Sequence, residues 1–153
     1  MASILNPTVS LGAVNGDKRN VTVAGSLNFS ASDVGSTYKL EIQLFGEDKA
    51  GDKLPSDDAV GDDKIYTYAW PGPVLPRPYK MITVAAAGTL ALNETRAVSN
   101  QALDEDPGKV VVGQADINTP LFMPRSDEVY ARVTLGIASI SARSPTVQAG
   151  IGV

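Results

Sequence analysis

Between Thr37 and Gly46 the chain alternates strictly: Tyr38, Leu40, Ile42 and Leu44 are separated by Lys39, Glu41 and Gln43. Side chains of a β-strand point to opposite faces in turn, so this period of two predicts a strand with one buried and one wet face. The pattern returns at 129–140, where Val129, Ala131, Val133, Leu135 and Ile137 alternate with Tyr130, Arg132 and Thr134. It is also present at 20–30, where Val21, Val23, Leu27 and Phe29 share one parity. Gly25 falls inside that run and predicts a bulge or the close approach of another backbone. A strand near 8–14 precedes it, and Asn15-Gly16-Asp17 between the two is a hairpin signal.

The rest of the chain continues in short strands. Residues 64–70 carry Tyr66, Tyr68 and Trp70 on one face. The run 71–78 holds four prolines, so it is expected to cross the surface in extended form rather than sit inside a sheet. Strands are expected at 80–86 and 89–100. The alternative for the latter is a helix over 93–103 capped by Asn93, against which Val98, Ser99 and Asn100 weigh as poor helix formers. A turn at 104–108, a short apolar run at 110–112 and a weak strand at 146–153 complete the pattern.

Many short strands joined by Gly/Pro-rich turns predict an all-β fold. The expectation is a single antiparallel β-sandwich domain spanning 1–153, with about 7–9 strands. A small jelly roll or barrel is the alternative. The run 121–133, Leu-Phe-Met-Pro-Arg-Ser-Asp-Glu-Val-Tyr-Ala-Arg-Val, resembles the tyrosine-corner segment before the penultimate strand of Ig-like, fibronectin type III-like sandwiches. That resemblance implies that the hydroxyl of Tyr130 bonds a backbone group upstream.

Composition narrows function more than fold. With 153 residues the chain is large enough to bury about two thirds of its unfolded surface without staples. It has no Cys and no His, which removes disulfides, thiolate metal sites and the commonest general base. The first residues show no basic segment followed by an apolar run, so no secretory signal is expected. The longest apolar stretch, 81–92, is too short to cross a bilayer. These features predict a soluble protein without a membrane partner, and the location is left open, a virion among the possibilities.

Net charge is −4, and it is concentrated. Residues 47–63 carry seven acids and two bases, while the remainder is close to neutral. No basic stripe with interleaved aromatics exists, which argues against nucleic-acid binding.

The acidic loop is the one candidate metal site. Asp57, Asp58, Asp62 and Asp63 could offer carboxylates to Ca²⁺, a hard cation that takes six to eight oxygens. Their spacing does not fit an EF-hand, and a solvated loop is the plainer explanation of the composition. Tyr66, Tyr68 and Trp70 would form a stacking platform if exposed, and ordinary core if buried. No Gly-rich phosphate loop, nucleophile elbow or flanked carboxylate pair marks an active site, so no enzyme activity and no cofactor are expected.

The functional expectation is therefore a non-enzymatic structural protein. It would be a β-sandwich subunit or decoration protein of an ordered array such as a viral particle or filament, making protein contacts or self-associating. The interface residues expected are Ile4 and Leu5 at one apolar end, Ile151 and Val153 at the other, and Trp70 with Tyr79 on the loop side. The alternative is a Ca²⁺-dependent or carbohydrate-binding module, which requires Trp70 or Tyr68 to be exposed.

Overall fold

The alternating run at 37–46 is the central strand of the larger of two sheets. In the computed structural model, which describes residues 1–46, 63–104, 109–116, 119–124, 126–137 and 140–151, this strand is β3 (Thr37–Gly46). The others are β1 (Ser3–Asn15), β2 (Lys18–Phe29), β4 (Asp63–Thr67), β5 (Lys80–Thr83), β6 (Gly88–Ser99), β7 (Lys109–Asp116), β8 (Thr119–Pro124), β9 (Ser126–Gly136), β10 (Ile140–Arg143) and β11 (Val147–Ile151). A single short helix, α1 (Asn100–Leu103), follows β6.

One sheet runs β1-β2-β6. The second runs β10-β9-β3-β4, with β11 also on β9 and β5 also on β3. Every pairing is antiparallel. β7 and β8 form a separate hairpin. The fold is an antiparallel β-sandwich, as the alternation predicts.

The buried parity of each strand meets in one core. Val21, Val23, Leu27 and Phe29 come from β2, with Leu92 and Val98 from β6. Tyr38, Leu40, Ile42 and Leu44 of β3 oppose them, with Val129, Ala131, Val133 and Leu135 of β9. Each Leu- or Val-sized side chain removed from water contributes about 1.5–3 kcal/mol. That is why the period of two, and not local propensity, decides these strands.

β1 and β2 join through Gly16 and Asp17, with Asn15 opposite Lys18 and Gly16 at φ 65. Gly25 answers to a close approach. Opposite it, β1 bulges between Leu5 and Thr8. A Cβ on Gly25 would stand 3.0 Å from the Leu5 carbonyl and 3.2 Å from that of Asn6.

Several boundaries differ from the sequence expectation. The run 129–140 is not one strand: β9 ends at Gly136, the chain turns, and β10 begins at Ile140. Ile137, expected on the buried parity, is 64% exposed because it lies past the strand end. The helix alternative for 93–103 contracts to one turn. β6 stays extended through Ser99, whose hydroxyl accepts from the Ala102 amide as the N-cap. β8 and β10 were not expected at all. Tyr130 is fully buried, stacked on Phe45 at 5.5 Å. The upstream side chains of its tyrosine-corner run lie outside the described residues.

Candidate docking site

The proline run does not cross the surface in extended form. It turns back on itself. The backbone of Trp70 pairs both ways with Arg77, each N–H···O at 2.8 Å. Pro71, Pro73 and Pro76 within it lack amides and have fixed φ, and Pro78 follows directly, so the short bridge closes a stiff loop. Gly72 is required within it. A Cβ there would collide with the carbonyl of Leu75.

The base of this loop is braced against β6. Trp70 is only 8% exposed, and its Nε1 donates to Glu94 Oε2 at 3.2 Å. Lys80 Nζ donates to the other oxygen, Oε1, at 2.8 Å. Arg96 donates to the Ala69 carbonyl through Nε at 3.1 Å and Nη2 at 2.9 Å. Its guanidinium lies over the rings of Trp70 and Tyr68, 5.2 and 5.3 Å from their centroids. Burial alone would raise the Glu94 carboxyl; hydrogen bonds from Lys80 and Trp70, and the Arg96 charge, outweigh it and hold the group below its usual range. Tyr79 is half-buried between two cations, Lys39 at 4.7 Å and Arg77 at 5.2 Å.

The tip of the loop is apolar and wet. Val74 is 89% exposed and Leu75 73%. Scattered exposed hydrophobics are normal, but an adjacent pair held out on a rigid loop is the geometry of a docking knob. An apolar groove of about 310 Å³ opens where β5 leads into β6, lined by Phe29, Ile82, Val84, Ala86 and Leu90.

The residues singled out by sequence are not gathered into one site. Ile4 is half-buried against the core, opposite Leu27, and belongs to β1 rather than to a free end. Leu5 is 43% exposed. Trp70 has almost no surface left for a partner, and Tyr68 has none. An aromatic platform built on those two is therefore not at the surface. Ile151 closes β11 opposite Ser126, while Val153 lies outside the described residues. Asp57, Asp58 and Asp62 also lie outside them; Asp63 opens β4, exposed, opposite Gly46.

Sequence reasoning missed Val74 and Leu75. The signal was present: an apolar pair flanked by prolines cannot be absorbed into a central strand, so it is left at the surface.

No family model matches the chain, and no curated protein matches it. Among solved structures, a Bifidobacterium adolescentis GH3 beta-glucosidase aligns with 97% of this chain at 13% identity and a TM-score of 0.40. The chain spans 17% of that protein's length. The likeness is too slight to transfer an activity. By its fold the protein is an antiparallel β-sandwich with a braced, apolar-tipped loop.

Proposed function

We propose that this protein is a non-enzymatic structural subunit of an ordered protein assembly. Copies join by seating the Val74–Leu75 tip of one in the groove beside Val84 and Leu90 of the next. The observation that carries this reading is the knob itself: two adjacent hydrophobics, 89% and 73% exposed, on a loop stiffened by Pro71, Pro73 and Pro76. Presenting them to water is unfavourable, and the bracing at Trp70 and Arg96 gives the loop one shape. A knob and a groove on different parts of one chain make a head-to-tail contact, which propagates into rings or filaments.

The test is light scattering of the wild type and of Val74→Asp/Leu75→Asp over a wide concentration range. The wild-type mass rises with concentration. The double variant melts at the same temperature but stops at a fixed small mass. Equal growth in both proteins overturns the reading. Leu90→Asp, on the groove side, is expected to give the same arrest.

A further inference from the structure

The two edges of the three-stranded sheet are treated differently. At one edge, β1 is blunted. Pro7 lacks an amide, Asn6 sits at φ 48, and the register with β2 shifts twice. Arg19 of β2 closes that side further by donating to the Ala149 carbonyl of β11. Prolines, bulges and covering groups are the usual protections of a sheet edge. At the other edge, among the described residues, β6 carries neither a proline nor a shift of register, and the group that covers its backbone is the Arg96 guanidinium on the Thr95 carbonyl. The strand pairs with β2 over twelve consecutive residues, Gly88 to Ser99.

The free groups of β6 can be assigned. The amide of Asn100 donates to the Asp17 carbonyl at 2.7 Å. Antiparallel ladders alternate, so even-numbered residues of β6 turn their amides and carbonyls toward β2. Those of Ala91, Asn93, Thr95 and Ala97 point outward. The Thr95 carbonyl accordingly accepts Arg96 Nη1, at 2.7 Å, rather than a strand.

We propose that β6 is a self-pairing edge, at which two copies of this chain join antiparallel about a two-fold axis through Thr95. The inference rests on the assembly reading above and names a second, isologous contact. Side-chain chemistry selects the partner and the register. A two-fold axis normal to the sheet keeps both inner faces on one side, so residues of like parity must oppose. Centred on Thr95, Glu94 faces the partner's Arg96, and Arg96 faces the partner's Glu94. Leu92 and Val98, both buried at the inner face, also oppose each other. On the outer face Thr95 meets its own copy, and Asn93 meets Ala97, all of them exposed and of modest size. Centring one residue earlier puts the two Glu94 carboxylates face to face. Centring one later opposes the two guanidiniums. Unlike charges stabilise a cross-strand pair and like charges destabilise it, so only the Thr95 register is self-complementary.

The experiment is sedimentation velocity in the Val74→Asp/Leu75→Asp background, which removes the loop contact. That protein sediments as a dimer. Adding Thr95→Pro makes it a monomer, because the central pair of inter-chain hydrogen bonds is lost while the β2 ladder, which does not use this amide, stays whole. Thr95→Lys and Thr95→Glu, made separately, each weaken the dimer severalfold, and an equimolar mixture of the two restores it as a heterodimer. This mixing arm decides the matter if the proline variant fails to fold. A monomeric background protein overturns self-pairing but leaves the loop contact standing. A dimer indifferent to all three substitutions places the contact elsewhere and overturns the inference as well.

Discussion

The hydroxyl of Tyr68 donates to the backbone carbonyl of Val21 at 2.7 Å, inside the sandwich. Tyr68 belongs to the six-stranded side, where its amide donates to Ile42 of β3. Val21 lies at the middle of the three-stranded sheet. One fully buried side chain therefore ties the two layers, next to the aromatic and cationic brace under the proline loop.

Tyr68→Phe is expected to cost about 1 kcal/mol, since it deletes a buried hydrogen bond between the layers while the Val21 carbonyl keeps its place in the ladder with β6. The ring still fills its place, so the fold is kept. Urea unfolding with an unchanged m-value and a lower midpoint checks this. An unchanged midpoint contradicts it.

Alkaline stability is linked to the same group. Burial pushes the pKa of the Tyr68 hydroxyl up, and the hydrogen bond to Asp33 pushes that of Tyr38 up. An unfolded tyrosine ionises near pH 10. Above that pH the unfolded chain releases protons that the folded chain keeps. Stability is thus complete below pH 10 and falls as pH rises through the folded values. Melting temperatures between pH 8 and 11.5 test it; Tyr68→Phe flattens the decline.

The opposite limb depends on Asp33. Its carboxylate accepts the Ser30 hydroxyl at 2.6 Å, the Tyr38 hydroxyl at 2.7 Å and the Ser30 amide at 2.8 Å. The Ser30 and Tyr38 hydrogen bonds hold the group far below its ordinary range, against the opposing effect of burial. An unfolded Asp protonates near pH 3.9. The stabilisation is present above that value and is lost as pH falls through the folded one. Asp33→Asn lowers stability at neutral pH and removes this part of the acid decline. Parallel slopes below pH 4 in the variant and the wild type contradict it.

Gly25→Ala is expected to destabilise by about 1–3 kcal/mol, through strain against the β1 bulge. The substitution must move the Leu5 and Asn6 carbonyls, so hydrogen exchange accelerates in β1 around the bulge, well away from β3. Unaltered exchange in β1 would mean that the backbone approach is not tight.

What the sequence could disclose follows from how each feature is encoded. The strands 18–29 and 37–46 were legible because burial of one parity leaves a period in the letters, and the 15–17 turn because a left-handed residue selects glycine. The fate of 71–78 was not. Four prolines exclude a central strand, but they do not reveal that Trp70 and Arg77 retain the two amides that close the loop. The brace of Glu94, Lys80 and Arg96 on Trp70 joins residues up to 26 positions apart, and no local pattern records it. For the same reason the sequence favoured the core for Trp70 without excluding the surface. The position of β6 at the outside of its sheet was invisible too, because strand order is a property of the assembled sheet.

Self-association is the function proposed for this sandwich. The direct measurement is absolute mass by light scattering from low micromolar to millimolar concentration. The account predicts a mass that passes the dimer and keeps rising, with growth arrested by Val74→Asp/Leu75→Asp. A monomer at every concentration would contradict it.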